Sequence, residues 1–104
     1  MSEPVLTQAE VDAALDEQGL RWVREGDVLV STAKLHDFGA ALEFVNAVGA
    51  AAEAANHHPD IDIRWNTVRL TLSTHDSGGI TLLDLALAGA IDRLRPDARE
   101  PDED

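Results

Sequence analysis

The sequence has no cysteine. That excludes disulfides, thiolate zinc sites and thiol catalysis. Basic residues are scarce: 8 Lys and Arg stand against 20 Asp and Glu, for a formal charge of -12. Such a surface repels a nucleic-acid backbone or an anionic membrane, so neither is expected as a direct partner. Aromatics are few, namely Trp22, Phe38, Phe44 and Trp65. No apolar run reaches the length of a membrane span. The start, Met1-Ser2-Glu3-Pro4, lacks the basic region and apolar run of a signal peptide. A cytoplasmic location is the expectation.

What remains is a chain of 104 residues and 11.2 kDa, 44% hydrophobic. That is enough for one small core, which self-association would help to cover. We expect a single domain over 1–95. From Pro96 to Asp104 the chain holds five acids and one arginine, about a third of the net charge. This composition reads as a disordered acidic tail over 96–104.

Helix and strand signals alternate along the domain. Thr7 and Glu10 form a capping-box pattern opening a first helix, and Gly19 is its C-terminal stop. Leu20–Arg24 and Val28–Lys34 read as strands joined by a hairpin at Glu25-Gly26-Asp27. Asp37 caps a second helix that runs to about Asn56, with Phe38, Ala41, Leu42, Val45 and Val48 on one face. Asp60–Trp65 and the alternating Val68, Leu70 and Leu72 form a second hairpin, turning at Asn66-Thr67. Thr81 and Asp84 open a third helix that reaches about Leu94. The order α-β-β-α-β-β-α predicts an α+β two-layer sandwich: a four-stranded antiparallel sheet with helices on one face. The other sheet face must be polar or be buried by a partner. The third helix is apolar on two adjoining faces, which fits contact with both the sheet and another subunit.

The chemistry-bearing residues lie at one end of the second hairpin. His57 and His58 precede its first strand and His75 follows its second. A hairpin sets its outer ends side by side, so the three imidazoles can converge. Histidine suits proton transfer near neutral pH, its unperturbed pKa being about 6.5. With Glu53 and Asp84 nearby, general acid-base work is the leading reading. Glu53, four residues before His57, can face the same pocket; as an ordinary helix residue it would be a solvated charge. Asp84 can equally be only the carboxylate of a helix start. A three-histidine zinc site is the rival reading. It lacks a His-Glu-x-x-His helix, and adjacent histidines tend to point apart, so no metal is expected. His36, alone before a helix, carries no functional signal.

Glu53-Ala54-Ala55-Asn56-His57-His58-Pro59, then Trp65, then His75-Asp76-Ser77-Gly78-Gly79 and Asp84, closely resemble the signature of the pterin-4a-carbinolamine dehydratases. The spacing agrees throughout: an acid four before His-His-Pro, an aromatic six after the proline, a histidine ten beyond it and an aspartate nine further on. The resemblance runs from about Leu6 to Leu94.

It implies a hydro-lyase that dehydrates 4a-hydroxytetrahydropterin to quinonoid dihydropterin in tetrahydrobiopterin recycling. It also implies a homodimer or homotetramer, and no metal or organic cofactor. By resemblance, His57 and His75 transfer protons, and His58 binds substrate with a share in acid-base work. Glu53 and Asp84 hold histidine tautomers or contact the pterin. Trp65 is an aromatic wall of the pocket or a core residue. Ser77, Gly78 and Gly79 let backbone approach the ligand or simply turn the chain. Ile61 stands where many members of the family carry an aromatic. The alternative is a non-catalytic module, resembling members that serve as dimerisation cofactors of a transcription factor. An intact set of three histidines with matching acids favours the enzyme.

Overall fold

A computed structural model describes residues 3–96 of the chain. Apart from Pro96, the acidic segment 96–104 lies outside the described residues. The elements follow the order α1 (Gln8–Glu17), β1 (Val23–Glu25), β2 (Val28–Lys34), α2 (Phe38–Ala55), β3 (Asp60–Arg64), β4 (Thr67–Leu72) and α3 (Leu82–Asp92). This is the α+β order read from the sequence.

Three side-chain caps start the helices. Thr7 Oγ1 accepts from Glu10 N at 3.0 Å while Glu10 Oε1 accepts from Thr7 N at 2.8 Å, closing the capping box of α1. Asp37 Oδ1 accepts from Ala40 N at 2.8 Å at the start of α2. Thr81 caps α3, with Asp84 completing the box. Gly19, at φ +62, follows α1 and lets Leu20 N reach back to Leu15 O at 3.0 Å.

All strand pairs are antiparallel, in the sheet order β1-β2-β4-β3. The return of β4 to lie beside β2 leaves β3 on an edge. Leu29, Ala33, Val68, Leu70 and Leu72 share the inner face and are buried with Ala41, Phe44, Val48 and Ala52 of α2 and with Leu85, Leu87, Ala88 and Ile91 of α3. Each fully buried Leu or Val contributes about 1.5–3 kcal/mol relative to exposure. On the outer face Thr32, Lys34, Asp62, Arg64 and Arg69 are exposed, as expected for a sheet covered on one side. The apolar surface of α3 is only partly used: Leu82 and Leu83 remain exposed, as does Leu94 just beyond its end.

Two elements differ from expectation. The first strand is confined to Val23–Glu25, not Leu20–Arg24. The reason is Asp92 at the end of α3, whose Oδ2 takes the Arg21 amide at 2.8 Å and whose Oδ1 takes Trp22 Nε1 at 3.0 Å. The second hairpin turns at Trp65-Asn66 rather than Asn66-Thr67, since Arg64 pairs with Thr67. Asn66 is tied to the end of β2: its carbonyl accepts from Leu35 N at 2.8 Å and its Nδ2 donates to Leu35 O at 2.9 Å. Trp65 takes up the turn at φ +55.

Candidate active site

The topology brings three chain ends to one corner. The end of α2, the start of β3 and the end of β4 meet there, because Asp60 pairs with Thr71 and the residues flanking the pair emerge together. Asn56, at φ 52 and ψ 42, ends α2 in the left-handed region, which asparagine tolerates. The chain therefore leaves the helix sharply and delivers His57 and His58. Beyond β4, Thr74 pairs with Gly79 in an isolated bridge, and His75 to Gly78 form the loop between them. His57, His58 and His75 thereby line one cleft of about 310 Å³, together with Asn56, Ser73, Thr74, Asp76 and Leu83. A second cleft of about 390 Å³ adjoins it, walled by Ala51, Ala54, Ala55, Ala86 and Ala90 and sharing His57 and Leu83. The wider groove on the outer sheet face, lined by Thr32, Asp62, Arg64, Thr67 and Arg69, contains no histidine.

Two of the imidazoles are held by carboxylates, in different settings. His57 Nε2 lies 2.6 Å from Asp84 Oδ1, with the His57 side chain 12% exposed and Asp84 fully buried. His58 Nε2 lies 2.5 Å from Glu53 Oε2, and both side chains stand in solvent. Glu53 thus reaches His58 and does not itself line the cleft, although its four-residue spacing from His57 let it face the same pocket. The cause is the left-handed Asn56, which breaks the helical register before either histidine is reached. His75 is exposed and its ring has no hydrogen-bonding partner among the described residues. It is open to a ligand in the cleft.

Asp84 does more than a helix start requires. Its Oδ2 accepts from Thr81 N at 2.9 Å, the capping contact, and from Thr74 Oγ1 at 2.8 Å. Its Oδ1 holds His57. The two sequence readings of Asp84, cap and histidine partner, are both realised on separate oxygens. Thr74 and Thr81 are in turn linked, Oγ1 to Oγ1, at 2.8 Å. Sequence reasoning passed over Thr74. Its signal was a threonine at the end of the alternating strand, next to His75.

Four expected site residues, Trp65, Ser77, Gly78 and Gly79, do not line the cleft. Trp65 sits at the turn of the β3–β4 hairpin, the opposite end from the histidines, and is 68% exposed. It is neither a wall of this cleft nor a core residue. Ser77 spends its hydroxyl on Glu3 O at 2.6 Å, and a side chain at Gly79 would come within 2.9 Å of Val5. These two are used to hold the N-terminal segment, which also donates Leu6 N to Ile80 O at 2.9 Å. Gly78 turns the loop at φ +80. Ile61 is on edge strand β3 opposite Leu70 and does not line the cleft.

Among the described residues no three His, Asp or Glu side chains are grouped so as to hold a metal ion. No described helix is long and apolar enough to cross a membrane.

Comparison with known proteins matches most of the chain. The family model for pterin 4 alpha carbinolamine dehydratase matches residues 4–94. A protein of Chloroflexus aurantiacus, provisionally named pterin-4-alpha-carbinolamine dehydratase, is 50% identical over 91 residues, covering 88% of this chain and 97% of its own. One of Nocardia farcinica with the same provisional name is 46% identical over 94 residues, covering 90% and 98%. Among solved structures, a transcriptional coactivator/pterin dehydratase from Brucella melitensis superimposes with a TM-score of 0.80 at 30% identity, over 86% of this chain and 97% of that one. A pterin dehydratase-like protein described as a RuBisCO assembly factor in the alpha-carboxysome shares the fold, with a TM-score of 0.60 at 22% identity. The chain belongs to the pterin 4 alpha carbinolamine dehydratase family.

Proposed function

We propose that this protein dehydrates 4a-hydroxytetrahydropterin to quinonoid dihydropterin by histidine acid-base chemistry, in the recycling of a tetrahydropterin. The observation that carries the reading is the convergence of His57, His58 and His75 on one cleft, with two of the three braced by carboxylates. A purely structural corner has no use for three imidazoles facing one space.

The reaction needs one proton delivered to the 4a-hydroxyl, which departs as water, and one removed from the neighbouring ring nitrogen. No electrons are transferred and the enzyme's proton inventory is unchanged. A protonated imidazole and a neutral one on opposite sides of the 4a carbon meet both needs. His57 and His75 take these two roles. His58, exposed and paired with Glu53, binds the pterin at the cleft mouth. The exposed Phe38, Leu42, Leu82, Leu83 and Leu94 favour a homodimer or homotetramer in solution.

The test is the rate at which purified protein consumes 4a-hydroxytetrahydropterin. The wild-type protein should accelerate the loss, and His75→Ala should remove most of the gain. No acceleration by the wild type would refute the enzyme and leave an interaction module. Equal rates for both proteins would refute the role of His75.

A further inference from the structure

We propose that the hydroxyls of Thr81 and Thr74 form a fixed relay onto Asp84 that locks His57 with its proton on Nε2, so that His57 exchanges protons with substrate through Nδ1. This assignment of the reacting atom, and of Thr74 as a positioning residue, rests on the dehydratase reading above.

Donor arithmetic gives the direction of every bond. Thr81 N can only donate, and it donates to Asp84 Oδ2 at 2.9 Å. Thr74 Oγ1 lies 2.8 Å from the same oxygen. A carboxylate is acceptor-only, so the single hydroxyl proton of Thr74 is committed to Asp84. The 2.8 Å contact between the two threonines must then use the proton of Thr81. Thr81 Oγ1 meanwhile accepts from Leu83 N at 3.2 Å, which orients that hydroxyl from the backbone of α3. The chain of donors thus runs from the first turn of α3 through Thr81 and Thr74 to Asp84.

With two donors already on Oδ2, Asp84 Oδ1 is left to accept from the group 2.6 Å away, His57 Nε2. That nitrogen must carry hydrogen in both the neutral and the cationic ring. Nδ1 is then the only atom of His57 whose proton can come and go. It has no hydrogen-bonding partner among the described residues. The relay is dry: Thr81 and Asp84 are fully buried and Thr74 is 7% exposed. In such surroundings an unsatisfied hydroxyl or carboxylate oxygen is costly, so the arrangement is held firmly. Thr74 borders the cleft, yet its donor is already used, so it acts on the reaction through Asp84 and His57.

The tautomer can be read without turnover, by nitrogen-15 NMR of histidine-labelled protein at a pH where His57 is neutral. The expected spectrum shows Nε2 protonated and Nδ1 bare. The reverse assignment in the wild type overturns the proposal. Thr74→Val, close in shape, should let the other tautomer appear and should lower kcat by about ten- to a hundredfold with KM nearly unchanged. Thr74→Ser should restore both the spectrum and kcat. A fall in kcat with the wild-type tautomer retained, or an unchanged kcat in Thr74→Val, overturns the positioning role. Loss of fold in Thr74→Val leaves the wild-type spectrum and the serine variant to decide. A wild type without dehydratase activity but with the Nε2–H tautomer refutes the reaction and spares the relay.

Discussion

Asp84 Oδ1 and His57 Nε2 lie 2.6 Å apart where the first turn of α3 meets the exit from α2, with the carboxylate sealed from solvent and the imidazole facing the cleft. One residue therefore starts a helix and orients a histidine. Asp84→Asn separates the two tasks. The amide oxygen can still accept from Thr81 N and Thr74 Oγ1, but the other end becomes a donor facing His57 Nε2. The expected outcome is a folded protein with kcat down about a hundredfold or more. Its stability should fall by about 1–3 kcal/mol for the mismatched buried group. Steady-state kinetics beside a thermal melt checks both; wild-type kcat in a folded Asp84→Asn protein would remove Asp84 from the mechanism.

The neighbouring pair should behave differently. Glu53 and His58 meet at 2.5 Å but stand in solvent, with side chains 79% and 54% exposed. Exposed ion pairs contribute about 0–1 kcal/mol and are screened by salt. Glu53→Gln should leave the melting temperature within a few degrees. It should change kcat/KM by less than about fivefold, the kinetic equivalent of that energy. A loss comparable to that of Asp84→Asn would mean that Glu53 touches the substrate directly.

The corner was legible in the sequence because its signals are local. The caps at Thr7, Asp37 and Thr81 sit within three residues of the groups they bind. The alternation of Val68, Leu70 and Leu72 marks the inner face of β4 directly. What failed to show depends on long-range contacts. Ser77 and Gly79 are claimed by Glu3 and Val5, more than seventy residues away, so a loop that looked like a ligand cradle is a strap for the N-terminal segment. Trp65, assigned to the site by resemblance, lies at the turn of the hairpin, the opposite end of β3 from His57 and His58. The pairing of Glu53 with His58 follows the left-handed turn at Asn56.

Asp92 offers a test of the same long-range order at the other end of α3. Its carboxylate joins that helix to Arg21 N and Trp22 Nε1, and the Trp22 ring is 4% exposed. Asp92→Ala strands a buried indole N–H, at a cost of about 1–3 kcal/mol. The melting temperature should drop by about 5–20 °C. Trp22 emission should shift to the red as water reaches the ring, while Trp65, already exposed, contributes the same signal in both proteins. Dehydratase activity below the melting range should persist, since Asp92 does not line the cleft. An unchanged melt would show that the indole finds another partner.

The pH dependence of stability has one clear surface contributor, the Asp12–Arg24 pair between α1 and β1. Arg24 Nε and Nη2 reach the two carboxylate oxygens at 2.9 and 3.2 Å. The hydrogen bond from Arg24, opposed in part by desolvation and aided to a lesser degree by the Arg24 charge, holds the Asp12 carboxyl below its ordinary value. A carboxyl lowered on folding stabilises the folded state above its unfolded value, about 3.9, and that support is lost as pH falls through the folded value. Urea unfolding of wild type and Asp12→Asn should therefore differ modestly at pH 7 and converge in acid. The pair lies at the surface, Asp12 exposed and Arg24 partly buried, so raised salt at pH 7 should shrink the gap as well. A gap that survived both acid and salt would assign the effect of Asp12 to packing of α1 rather than to its charge.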